Sequence, residues 1–337
     1  MSYYAAPLWK SVSLHSTFKS IHRKCLLILL TAVLALAGCD SGSPKNPGAL
    51  TVKDGRLTDS SGNPVQLRGM STHGIAWFPQ YVSTEAFAFV QNCGGNVVRI
   101  AMYTDTENGY LTDPEYNEQL VRQAVTDALA LGMYVIVDWH ILSDGNPMDH
   151  VSEAADFFRK IAHEYRNEPH VLYEIANEPN RAGWDDITEY ADTIIPIIRK
   201  ENPAAVVIVG TPEYSSSLDA AMQNPLSYDN ILYAYHFYAG EKISYRKLNK
   251  AVEARFPVMV SEWGIGLDGD GTPAIEAGRQ FVSYLNEQGL SWCAWSFCNK
   301  DESYSLLRPG CDKLESFTMQ DLSDVGKVYA GAMKGES

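Results

Sequence analysis

At 337 residues the chain exceeds the usual domain size but lies within the range in which an α/β barrel runs as one domain. Hydrophobic residues at 45% supply a large core, and charged residues at 20% are too few for an extended disordered chain. With 41 acidic against 27 basic residues the net charge is -14, so the surface repels polyphosphates and nucleic acid is excluded as a partner.

In chain order, Lys19, Arg23 and Lys24 precede an apolar run from Cys25 to Ala37, closed by Leu36-Ala37-Gly38-Cys39. Basic start, apolar stretch and small residues at the cut define an export signal, and the run is short against the roughly 20 residues of a membrane span. The Leu-Ala-Gly-Cys ending resembles the bacterial lipobox, whose cysteine is diacylated and becomes the new N-terminus. Residues 1–38 are therefore expected to be a lipoprotein signal peptide, Cys39 the lipidation site, residues 39–49 a flexible polar tether, and residues 50–337 the folded domain. The expected location is exported and membrane-anchored, on the cell surface or the periplasmic face.

Export makes disulfides chemically allowed for Cys93, Cys293, Cys298 and Cys311. Cys293 lies in an apolar strand-like run and reads as a buried thiol. Cys298 and Cys311 bracket one loop, and a bridge closing its about 14 residues would contribute roughly 3 kcal/mol in the chain-entropy view.

From Leu50 to Val65 the pattern is strand, turn (Lys53-Asp54-Gly55), strand, turn (Ser60 to Pro64), a short hairpin expected to plug one end of the fold. Eight β-rich runs follow: Val65 to Ser71, Asn96 to Ala101, Met133 to Trp139, His170 to Ala176, Val206 to Gly210, Ile231 to Phe237, Pro257 to Trp263 and Ser291 to Phe297. Continuous apolar stretches such as Tyr134-Val135-Ile136-Val137 suit parallel strands buried on both faces. Between them lie amphipathic helical stretches: Pro114 opens one whose stripe is Leu120, Val121, Ala124, Ala128 and Leu131 before Gly132 stops it, and Glu276 to Leu285 is another. Eight such units predict an α/β fold, a closed (β/α)8 TIM barrel with a short N-terminal β-hairpin.

In such barrels chemistry sits at the C-terminal strand ends. The residues there are His73, Arg99, His140, Asn177-Glu178, His236, Tyr238, Glu262 and Trp295. Each alone has a bland reading, but two carboxylates, an arginine and several imidazoles at one mouth are costly unless they serve one another or a ligand. The fourth and seventh strands lie across the ring from each other, so Glu178 and Glu262 are expected to face one another, the arrangement glycoside hydrolysis requires.

Asn177-Glu178-Pro179, His236-Phe237-Tyr238 and Ser261-Glu262-Trp263-Gly264 resemble glycoside hydrolase family 5, and more closely its bacterial endo-β-1,4-glucanase (cellulase) branch. Supporting stretches are Arg68 to Gly74, Val98 to Tyr103, Asp138 to Leu142, Tyr173 to Pro179 and Ser291 to Ser296, in order from about Leu50 to the C-terminus. The resemblance implies a retaining endoglucanase in which Glu178 is acid/base and Glu262 the nucleophile. It makes Arg99 and Tyr238 hydrogen-bond partners of Glu262, Asn177 a contact to the sugar 2-hydroxyl, and His140 and His236 shapers of the reacting-sugar site. Trp295 is the expected floor under that sugar; Trp77 and Trp184 are further stacking candidates, and Lys300 and Glu302 stand where more distant sugars bind. Ala294, Phe297-Cys298-Asn299 and Gly264-Ile265-Gly266 depart from the commoner pattern, which leaves chain-length preference open.

No cofactor is expected, and no metal, because the His-x-His pair of metal-dependent barrels is absent near His73. The expected partners are a β-1,4-linked glucan and, through the lipid, a membrane; the protein is expected to act as a monomer. Related β-glycanase activity on mannan, xyloglucan or mixed-linkage glucan is the alternative within enzymes. A non-catalytic glycan-binding lipoprotein is the alternative outside them, opposed by the presence of both glutamates.

Overall fold

The computed structural model describes residues 47–240 and 245–336. The expected signal peptide, Cys39 and most of the tether lie outside the described residues.

Strands β1 (Thr51–Lys53) and β2 (Arg56–Thr58) form the antiparallel hairpin. Its two-residue turn puts Asp54 at φ 50° and Gly55 at φ 77°, the left-handed pair that an Asp-Gly turn supplies. A side chain at Gly55 would also meet the Arg255 carbonyl at 2.4 Å. Leu50 and Leu57, with Val52 and Val65, pack onto Leu67, Val97, Tyr134, Leu172, Leu232 and Met259, which fill one end of the barrel lumen. The hairpin is thus the expected plug.

Eight parallel strands close the barrel: β3 (Arg68–Thr72), β4 (Val97–Tyr103), β5 (Tyr134–His140), β6 (Val171–Glu174), β7 (Val207–Val209), β8 (Ile231–Ala239), β9 (Val258–Ile265) and β10 (Trp292–Phe297). Every expected run overlaps its strand. β4, β8 and β9 each continue two residues past the expected end, the last two because Tyr238 pairs with Gly264 and Ala239 with Ile265.

Along β4, Val98, Ile100 and Met102 pack outward among the helices, while Val97 joins the lumen cluster and Ala101 and Tyr103 join Trp295 near the mouth. The period of two therefore turns Arg99 into the lumen, and the same parity turns Asp138 and His140 inward from β5. The helix expected after Pro114 spans Pro114–Ala130, capped by the Asp113 side chain, with Gly132 in the left-handed region behind it. The second expected helix spans Ile275–Gln288.

The expected Cys298–Cys311 bridge is not formed: Cys93, Cys293, Cys298 and Cys311 are all free and buried. The Cys298 thiol sits among hydroxyls, 3.2 Å from Ser305 Oγ and 3.5 Å from Ser296 Oγ, while Cys311 packs in the apolar core. The loop is closed instead by Asn299 Nδ2 donating to the Cys311 carbonyl at 2.7 Å.

Candidate active site

At the mouth, His73, Tyr103, His140, Glu178, Tyr238, Glu262, Trp295 and Lys300 line one cleft of ≈ 270 Å³. Below it lies a buried ionic layer organised by Arg99. The guanidinium donates through Nε to Glu174 at 2.6 Å, through Nη1 to Glu262 at 2.9 Å and through Nη2 to Asn177 Oδ1 at 2.7 Å, with Asp138 3.0 Å from Nη2. Burial works against this charge, but Asp138, Glu174 and Glu262 together hold the guanidinium ionised. Tyr238 Oη donates to the other oxygen of Glu262 at 2.6 Å, and burial followed by the Glu262 charge raises the phenol well above its ordinary value. Glu262 therefore receives one fixed donor on each oxygen.

Glu178 is less buried than Glu262 and lies 2.9 Å from Nδ1 of His236. Carboxylate oxygens of Glu178 and Glu262 and a ring nitrogen of His236 all lie within 4.8 Å of one another. The structure thus brings the two glutamates face to face, as the strand order requires.

Asn177 is fully buried, and its amide hydrogens engage His140 Nε2 at 3.2 Å and the Ile141 carbonyl at 3.1 Å. A contact from Asn177 to a sugar hydroxyl must therefore share or replace the His140 bond. That bond leaves the His140 proton on Nδ1, which points at Asp138 at 2.6 Å. Burial, then the Arg99 charge, lowers His140 to about 3, so the ring is neutral.

Trp295 stacks on His140 at 5.2 Å and an interplanar angle of 19°, and forms one wall with Tyr103. Trp77 is 40% exposed at the rim, fixed by its indole N–H on the Glu107 carbonyl at 2.8 Å, and free to offer a face. Lys300 pairs with Glu302 at 2.6 Å. His73 lies 3.7 Å from Glu302, with Cys298 Sγ 3.9 Å from the same carboxylate. His73 Nδ1 accepts from the Gly74 amide at 2.7 Å, so the neutral ring carries its proton on Nε2, and that nitrogen offers Glu302 a donor, not a lone pair for a metal. Burial, then Lys300, lowers His73 to about 3.

Trp184 is a correction. It is 6% exposed at the first turn of the helix Trp184–Glu201, donates to the Asn224 carbonyl at 2.8 Å and packs on Tyr233. It serves the core and lines no part of the cleft.

Sequence reading assigned no role to Asp138, Glu174, Ser261, Tyr103 or Tyr214. The first two carried a usable signal: a charged residue at a lumen-facing position of a strand buried on both faces must be paired. Tyr214, 57% exposed, lines a second cavity beside Glu178 and His236. It sits in a left-handed turn, with Glu213, Tyr214 and Ser215 at φ 58°, 59° and 55°, tied down by its own amide on the Pro179 carbonyl and by Ser215 Oγ on the Asn177 carbonyl. Only the three-dimensional turn brings this ring to that cavity.

Barrel and mouth together define a carbohydrate-active class: a (β/α)8 enzyme fold with two facing carboxylates under aromatic walls. The pattern of Cellulase (glycosyl hydrolase family 5) matches residues 58–301, and the chain belongs to that family. It is 40% identical over 287 residues to Endoglucanase A of Butyrivibrio fibrisolvens and 41% identical over 296 residues to an endoglucanase of Clostridium saccharobutylicum, covering 82% and 86% of this chain. The match spans 66% of the length of each of those relatives. Among solved structures, the catalytic domain of the Thermobifida fusca endoglucanase Cel5A, a glutamate-to-glutamine variant in complex with cellotetraose, superposes with a TM-score of 0.81 at 34% identity, over 87% of this chain and all of that one.

Proposed function

We propose that the protein is a retaining endo-β-1,4-glucanase acting as a monomer, with Glu178 as acid/base and Glu262 as nucleophile. The observation that carries the reading is the glutamate pair: oxygens within 4.8 Å leave no room for the water that an inverting enzyme holds between sugar and base. In the first step Glu178 protonates the glycosidic oxygen while Glu262 attacks the anomeric carbon and the leaving chain departs. In the second, Glu178 takes a proton from water as that water displaces Glu262. Arg99 and Tyr238 hold the nucleophile aimed by one hydrogen bond on each oxygen. Trp295 lies under the reacting sugar, with Trp77 and the Lys300–Glu302 pair further along the cleft. The cellotetraose complex of the Thermobifida relative supports a β-1,4-glucan backbone over mannan.

Proton NMR of the first product from cellotetraose tests the stereochemistry: the β-anomer should accumulate ahead of mutarotation, and an α-anomer formed first rejects the retaining mechanism. Viscosity of a soluble β-1,4-glucan should fall faster than reducing ends accumulate, and the reverse order rejects internal cleavage.

We further propose export and anchoring through a lipid on Cys39, supported by the lipobox-like Leu36-Ala37-Gly38-Cys39 and the polar tether behind it. Among the described residues no helix is long and apolar enough to cross a membrane. Cys39→Ala should move the protein from the membrane to the soluble fraction without changing the rate on soluble glucan; retention in the membrane rejects the lipid anchor.

A further inference from the structure

A further cavity adjoins the catalytic cleft and takes no part in the two steps above. It measures ≈ 660 Å³, against ≈ 270 Å³ for the cleft, and Tyr238 and Tyr304 line both, so the two spaces share a wall. The Tyr304 ring meets Tyr238 edge-on, with centroids 5.4 Å apart at 70°. Tyr238 packs flat against the bare backbone of Gly264, where a side chain would meet its ring at 2.6 Å and Tyr304 Cβ at 3.3 Å.

The wall is held in place. The Ser296 amide donates to the Tyr304 carbonyl at 3.1 Å, and Ser305 Oγ donates to the Lys300 carbonyl at 2.8 Å, which ties the segment to the end of β10. Leu267 lines the same cavity, is 52% exposed, and is fixed by its bridge to Pro273 across a short turn. The remaining surface is backbone where β8 and β9 end. A side chain at Gly266 would meet the Ala239 carbonyl at 2.7 Å, and one at Gly240 would meet the Leu267 carbonyl, so close approach of the strands keeps this surface bare.

The lining defines what fits. Leu267 and the Tyr304 ring offer apolar surface to the C–H face of a sugar ring. The hydroxyls of Ser303 and Tyr304 make no hydrogen bond among the described residues, which leaves them to bind sugar hydroxyls. The charged lining residue is Glu302, already paired with Lys300 at 2.6 Å, and no cation lines the cavity to hold an anionic group. The occupant is therefore neutral.

We propose that this cavity is a subsite for a neutral glycosyl branch on the primary hydroxyl of a main-chain glucose, so that the enzyme takes branched β-1,4-glucan. The inference rests on the endoglucanase reading above. The primary hydroxyls of a β-1,4-glucan project sideways from the chain, so a branch on one reaches a cavity beside the cleft while the backbone stays in it. Glu302 lines the cavity and the acid/base Glu178 does not. The branch therefore hangs from the part of the chain held by the Lys300–Glu302 pair, which stays on Glu262 in the first step, and not from the departing part.

Two cello-oligosaccharides of equal backbone length test this, one unbranched and one bearing α-xylosyl branches on its primary hydroxyls. In wild type kcat/KM on the branched chain should be about tenfold higher, the gain from burying one sugar face on an aliphatic and an aromatic side chain. Leu267→Asp puts a charge where apolar contact is required, and Ser303→Trp fills the cavity; each should bring that ratio to about one or below. Leu267 is exposed, so its replacement tests the subsite where the larger side chain at 303 disturbs the fold. A wild-type ratio of one or less, or a ratio that neither variant lowers, overturns the branch subsite. Hydrolysis of the unbranched chain alone leaves the endoglucanase reading standing and rejects the branch. If neither chain is cut, the endoglucanase reading fails instead, and titration calorimetry then reads the subsite by itself: about tenfold tighter binding of the branched chain supports it, and equal or weaker binding rejects it.

Discussion

Glu262→Ala should lower turnover of glucan by about 10,000-fold or more, equivalent to roughly 5.5 kcal/mol of lost transition-state stabilisation. Glu262 is the carboxylate at the mouth that carries a fixed donor on each oxygen, Arg99 at 2.9 Å and Tyr238 at 2.6 Å. Glu178→Ala should behave differently, because a leaving group that needs no proton still departs in the first step. Azide separates the two with an activated aryl cellobioside. In Glu178→Ala it should attack the glycosyl-enzyme and yield the β-glycosyl azide; in Glu262→Ala any rescue should give the α-glycosyl azide by direct displacement. Swapped configurations would exchange the two roles.

Arg99→Met is expected to cost about 3–5 kcal/mol of stability at neutral pH, the usual penalty for stranding a buried charge. Arg99 lies within 3.0 Å of Asp138, Glu174 and Glu262, so its loss leaves three carboxyls facing one another around an apolar side chain. The deficit should grow as pH rises. In wild type Glu174 is held at about 2, below its unfolded value, so its contribution is present above the ordinary carboxylate range and is lost as pH falls towards 2. Without Arg99, burial dominates and raises the folded value; the carboxyl then stabilises the fold at acid pH and destabilises it as pH rises. The urea-midpoint deficit of Arg99→Met should therefore be larger at about pH 7.5 than at about pH 4.5. A constant deficit at both would mean that Arg99 matters for packing alone.

Several features were decided along the chain itself. Apolar runs such as Tyr134-Val135-Ile136-Val137 separated by amphipathic helical stretches specify parallel strands covered on both sides, because local patterning and burial demand the same thing. The Asp54-Gly55 hairpin is local for a similar reason: its left-handed backbone is a property of those two residues. Glu178 and Glu262 were legible because strand number in a closed ring converts sequence order into opposition across the cleft. Only the tertiary structure decided which polar groups meet. Arg99 takes Glu174, Asp138 and Glu262 from three other strands, and Ser261 joins His236 to Glu174 over separations of 25 and 87 residues, distances no periodicity encodes. Trp184 and the Cys298–Cys311 pair failed as readings for the complementary reason. Composition and spacing say what a side chain is able to do, but its direction is set by packing: Trp184 turns onto Tyr233, and Cys298 turns to Ser305.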